Sequence, residues 1–94
     1  MFVVTTKARI RLSQKLDRRQ ADSTQTFRFA ARPGGWRLRL DRPRPADTAI
    51  THDGQTVLVL DEAVWDAMKS RSLDVIDTES GPRLRLQRLS SGGD

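Results

Sequence analysis

Several groups of side chains in this chain have types and spacings that could do chemistry. Arg28, Arg37 and Arg39, and again Arg83 and Arg85, stand at alternate positions of apolar stretches, as in Trp36-Arg37-Leu38-Arg39-Leu40 and Arg83-Leu84-Arg85-Leu86. On an exposed strand face such arginines can neutralise phosphates, with binding that weakens as salt rises. His52 is the single histidine. A histidine serves as a general base when it is oriented toward a nucleophile, but no serine here is marked as an activated partner. Beside Asp53-Gly54 it reads as an exposed turn residue. Asp61, Glu62 and Asp66 could hold a hard cation, but they fit the positive end of a helix dipole with no ligand at all, and the capping role is the reading adopted. Asp74, Asp77 and Glu79 lack the spacing of a calcium loop and are accounted for by solvation. The six glycines form neither a P-loop nor a dinucleotide fingerprint. These residues support no enzyme and imply no cofactor or metal.

Cysteine content gives a further exclusion. The chain has no cysteine, so disulfides, zinc-thiolate sites and thiolate-ligated iron–sulfur clusters are ruled out. That composition fits a reducing cytoplasm. No apolar run approaches the roughly 20 residues that cross a bilayer, and the start lacks the pattern of a signal peptide. The expectation is a cytoplasmic protein with no membrane partner. Ninety-four residues, 36% hydrophobic and 5% aromatic, predict one domain with a modest Leu/Val/Ile core. The net charge of +5 is unevenly spread. Residues 1–45 carry 12 Lys and Arg against 3 Asp, giving +9; residues 46–94 carry 5 against 9 acidic residues, giving −4. A dipolar surface of this kind can steer a polyanion or an acidic partner. Only three of the cations are lysines, as arginine-rich codon usage would also produce.

The elements that must position these groups follow from periodicity. Thr5 or Thr6 can cap a helix to about Arg19, with Ala8, Leu12 and Leu16 on one side and Lys7, Arg11, Lys15 and Arg18 largely on the other. Phe27, Phe29 and Ala31 alternate with Arg28 and Ala30; after Pro33-Gly34-Gly35, Trp36, Leu38 and Leu40 alternate with Arg37 and Arg39. This predicts an antiparallel strand pair whose arginines point away from the core. Trp36 is in phase with the leucines, which makes it a core residue rather than a base-stacking platform. Asp41-Arg-Pro-Arg-Pro45 is too rich in proline for a central strand. Asp53-Gly54 predicts a tight hairpin joining a strand near 48–51 to 55–60. Val57-Leu-Val-Leu60 has no polar alternation, so both its faces should be covered. Asp61 caps a helix over 62–70, and strands at 73–76 and 83–89 follow. If the arginine-bearing strands are neighbours, Arg28, Arg37, Arg39, Arg83 and Arg85 form one basic face; otherwise their stems simply cover apolar surface. The order predicts an α+β domain over residues 1–89, a mostly antiparallel β-sheet with two short helices, followed by a disordered tail over 90–94.

The stretch from Asp53-Gly54 through Val57–Leu60, Asp61, Leu73-Asp74-Val75 and Gly81 resembles the HesB-like family, which includes the A-type iron–sulfur carriers. The resemblance extends over nearly the whole chain and implies the HesB-like fold. Carriers of that family hold their cluster through a cysteine after two glycines and through a Cys-Gly-Cys tail. Here Gly34-Gly35-Trp36 stands at the first of these, so the resemblance makes Trp36 a degenerate ligand position. Ser90-Ser-Gly-Gly-Asp94 stands near the second. The resemblance implies a fold and an ancestry without the cluster-transfer activity; the leading expectation is a non-enzymatic HesB-like domain that cannot ligate a cluster through cysteine and acts as a protein-interaction or regulatory module with an unidentified protein partner. The alternative is a small basic protein binding nucleic acid through the arginine-rich sheet face.

Overall fold

A computed structural model describes residues 2–88. The elements run β1 (Val3–Val4), α1 (Thr6–Arg18), β2 (Thr26–Arg32), β3 (Gly35–Asp41), β4 (Thr48–His52), β5 (Gln55–Leu60), α2 (Glu62–Ala67), β6 (Arg71–Thr78) and β7 (Gly81–Arg88). The α+β class and the two helices agree with the periodicity. The expected final strand is described to Arg88; Leu89 and the tail at 90–94 lie outside the described residues.

The strands do not form one sheet. β3-β2-β5-β4 make a four-stranded sheet and β1-β6-β7 a three-stranded one. Hairpin neighbours pair antiparallel, whereas β2 with β5 and β1 with β6 are parallel. Local alternation specifies which residues share a face of a strand but carries no information on which sheet the strand joins.

Local chemistry explains each junction. The Thr5 hydroxyl accepts from the Ala8 N–H at 3.2 Å as the N-cap of α1. It also donates to Asp74 Oδ1 at 2.8 Å, and the Thr5 N–H donates to the Leu73 carbonyl at 3.0 Å, so one residue starts the helix and ties it to β6. Hydrogen bonds from the Val75 N–H and then from Thr5 hold the Asp74 carboxyl below its ordinary pKa. Solvation therefore does not fully account for Asp74. At the other end of α1, the N–H groups of Gln20 and Ala21 donate to the carbonyls of Asp17 and Leu16. This is a Schellman closure with Gln20, at φ 54°, where glycine is usual. In the β2–β3 hairpin, Arg32 pairs with Gly35 across Pro33-Gly34, and Gly34 supplies the φ of 86° that a second turn position after proline requires. The Asp53-Gly54 turn is present as expected, both residues having positive φ. Asp61 caps α2 through the Val64 N–H at 2.9 Å, which accounts for this carboxylate without a ligand. The helix ends at Ala67, earlier than expected, and a turn carries the chain into β6.

The core lies between α1 and the sheets. Ala8, Leu12 and Leu16 are buried, as are all four residues Val57–Leu60, together with Phe2, Phe27, Phe29, Met68 and Leu73. Both faces of β5 are thus covered, as its unbroken apolar run required. Each large side chain buried in this way contributes roughly 1.5–3 kcal/mol.

Candidate functional site

The five arginines singled out by alternation meet three different fates. Arg28 is the clearest departure. It was expected on the outer face, but it is 5% exposed. Its Nε donates to Asp41 Oδ2 at 2.7 Å, its two terminal nitrogens donate to the two Asp47 carboxylate oxygens at 3.0 and 2.6 Å, and one also reaches the Arg42 carbonyl at 3.2 Å. The Asp47 side chain is itself only 3% exposed. The segment following β3 folds over the outer face of β2 and covers it, so alternation correctly separates Arg28 from Phe27 and Phe29 yet misjudges what lies on its side. Bidentate pairing with Asp47 raises the Arg28 pKa further. The Arg28 guanidinium, in turn, is the main reason that the Asp47 carboxyl lies below its ordinary value. For Asp41 the Arg42 N–H contributes most and Arg28 next. Arg28 is a structural clamp and is withdrawn from any polyanion-binding set.

Arg37 and Arg39 are exposed on β3, and Arg83 and Arg85 are exposed on β7. Arg39 approaches Asp41 Oδ2 at 3.7 Å. These two pairs do not form one ladder, because β3 and β7 belong to different sheets. The strands turn their apolar residues toward each other: Trp36 and Leu38 from β3, with Leu84 and Leu86 from β7, line a groove of about 210 Å³ floored by Phe29 and Leu73. Since side chains alternate across a strand, Arg37, Arg39 and Arg85 point away from that groove.

Trp36 occupies one wall of this groove. It is half-buried and meets the Phe29 ring edge-on, with centroids 5.3 Å apart and planes at 67°, a favourable aromatic geometry. Phe29 in turn contacts Phe2, which meets Trp65 edge-on. The indole is thus part of a continuous aromatic packing chain. His52 lies at the end of β4, half-buried rather than exposed, with Nε2 3.5 Å from Asp53 Oδ2. Among the described residues, no three His, Asp or Glu side chains are grouped so as to hold a metal ion.

The structure also gathers cations that strand alternation could not find. Arg11 and Lys15 of α1 and Arg83 of β7 surround an open cavity of about 500 Å³, with Leu38, Pro82 and Leu84 as its apolar lining. A second cavity of about 260 Å³ shares Lys15 and Leu38 with the first and adds Arg18, Arg19 and Phe27. The available signal was the four-residue spacing of Arg11, Lys15 and Arg19, which stacks them along one side of a helix. The meeting with Arg83 needs the tertiary fold.

No model of a protein family matches the chain, and no curated protein matches it significantly. Solved structures do. The crystal structure of Escherichia coli SufA, involved in the biosynthesis of iron–sulfur clusters, superposes with a TM-score of 0.72 at 16% identity, over 93% of this chain and 84% of that one. The crystal structure of IscA with the [2Fe-2S] cluster gives a TM-score of 0.57 at 22% identity, over 98% and 86%. The architecture is therefore that of the A-type iron–sulfur carriers, the HesB-like fold. No helix of the described residues is long and apolar enough to cross a membrane.

Proposed function

We propose that this chain, which has the fold of the A-type iron–sulfur carriers and none of their cysteines, is a non-enzymatic interaction or regulatory module that carries no cysteine-ligated cluster. Its partner would be another protein of the cytoplasm. The observation that supports this reading is Trp36. It follows Gly34-Gly35, where the resemblance sets a cluster thiolate, and its indole is packed against Phe29 in the inter-sheet groove. An indole nitrogen donates a hydrogen bond and offers no lone pair to iron. The groove on this side of β3 is lined by apolar side chains, which favours a scaffold retained for its surface over one that exchanges metal.

Anaerobic incubation with iron and sulfide, followed by desalting, tests the proposal. A colourless protein with less than stoichiometric iron is expected, and a stoichiometric brown cluster on the folded chain would sink it. The nucleic-acid alternative is weakened, because Arg28 is buried and the remaining arginines lie on strands of two sheets. Its own test is the double change Arg37→Glu and Arg39→Glu, which should weaken oligonucleotide binding if that face carries it.

A further inference from the structure

The cationic cavity between α1 and the β6–β7 hairpin is not used by either reading above. Arg11, Lys15 and Arg83 line it, and Arg18 and Arg19 line the adjoining one. Among the described residues, none of these five cations forms an ion pair with a carboxylate. Burial comes first among the causes that lower the Lys15 pKa; the charges of Arg11, Arg19, Arg18 and Arg83 follow, all four of them positive. The Arg11 Nε is buried and has no hydrogen-bond partner. A terminal nitrogen of that guanidinium makes a long 3.5 Å approach to Gln14 Oε1. A buried donor without an acceptor is costly, and a bound ion or water is one way to satisfy it.

The helix dipole explains part of the cluster, since Lys15 and Arg18 occupy the last turn of α1. It does not explain Arg11, a full turn earlier, or Arg83, which comes from another element. Like charges four residues apart, as in Arg11–Lys15 and Lys15–Arg19, destabilise a helix. The arrangement carries a like-charge cost that a bound anion would offset.

We infer that this cavity binds a small phosphate-bearing molecule, its phosphate oxygens held by Arg11, Lys15 and Arg83 and its apolar body resting on Leu38, Pro82 and Leu84. The size falls within the range of small-ligand sites, about 300–1,000 Å³, and an arginine fork is well matched to phosphate oxygens. A polynucleotide is the poorer fit. It needs an extended cationic track, whereas the concave site is bounded by the β6–β7 hairpin and Arg37 and Arg39 point away from the adjoining inter-sheet groove.

The test is titration of the intact chain with inorganic pyrophosphate and with adenosine monophosphate, followed by the arginine side-chain Nε–Hε signals in nitrogen-15 spectra and by thermal melting. Saturable one-to-one binding that moves the Arg11 signal and raises the melting temperature is expected. Arg11→Gln should weaken binding tenfold or more, and Arg37→Gln with Arg39→Gln should leave it unchanged. Lys15→Glu separates a ligand site from a merely structural cluster: it replaces two repulsive pairs by attractive ones but sets a negative charge in the last turn of α1, so the melting temperature of the free protein should change little while pyrophosphate binding is lost. The inference is overturned if neither pyrophosphate nor the nucleotide binds saturably in low-salt buffer, or if the Arg37/Arg39 variant weakens binding as much as Arg11→Gln. It is also overturned if a bound oligonucleotide is not displaced by excess pyrophosphate.

Discussion

Replacing Arg28 by methionine should separate a structural clamp from a binding residue. The change keeps most of the apolar stem and removes a guanidinium that makes one hydrogen bond to Asp41, two to Asp47 and one to the Arg42 carbonyl. The two carboxylates are left in unequal positions. Asp41 is 25% exposed and stays within 3.7 Å of Arg39 and Arg44, so water and neighbours compensate it. Asp47 is 3% exposed and retains only the Arg44 N–H at 2.7 Å. Removing one partner of a buried pair costs about 3–5 kcal/mol; with one carboxylate compensated and the other still holding a donor, a loss of about 3 kcal/mol is expected. That is a large share of the roughly 5–15 kcal/mol stability of an ordinary domain. Urea unfolding followed by fluorescence of Trp36 and Trp65 at neutral pH measures it.

The pH dependence supplies the sign. In the parent, Asp41 and Asp47 titrate below their ordinary values. Their contribution is therefore present above the unfolded carboxylate pKa of about 3.9 and is lost as pH falls through the folded values. In the variant Asp47 is a buried carboxylate without its cation, so its pKa rises and protonation relieves the penalty. The stability gap between the two proteins should narrow steadily as pH drops from neutral toward 4. A loss below about 1 kcal/mol, the range of exposed ion pairs, would refute the clamp. So would a gap that does not change with pH.

Other outcomes follow from single contacts. Gln20→Gly should stabilise the protein by roughly 0.5–1 kcal/mol, because the relieved left-handed strain exceeds the added backbone entropy of the unfolded chain; thermal melting checks it. Thr5→Val should cost about 1–2 kcal/mol through loss of the α1 cap, and hydrogen exchange should show the first turn of α1 opening more often. Leu12→Ala should cost about 2–5 kcal/mol, since Leu12 is fully buried in the core. Arg37→Gln with Arg39→Gln should change stability by less than about 0.5 kcal/mol, as expected of exposed side chains.

The local features of this protein were legible in its sequence because each depends on a few neighbouring residues. The stripe of Ala8, Leu12 and Leu16 specified α1, Pro33-Gly34 and Asp53-Gly54 specified two turns, Asp61 specified the start of α2, and the unbroken Val57–Leu60 specified a strand covered on both faces. The absence of cysteine excludes thiolate chemistry whatever the fold. Only the tertiary structure divided the strands between two sheets, because alternation is indifferent to which sheet a strand joins. It reversed the reading of Arg28, which alternation sets opposite the core but which the 41–47 segment covers and two carboxylates neutralise. It also brought Arg83 to Arg11 and Lys15, across some 70 residues of chain. Burial and charge environment are summed over every element packed nearby, and a sequence records only the neighbours along the chain.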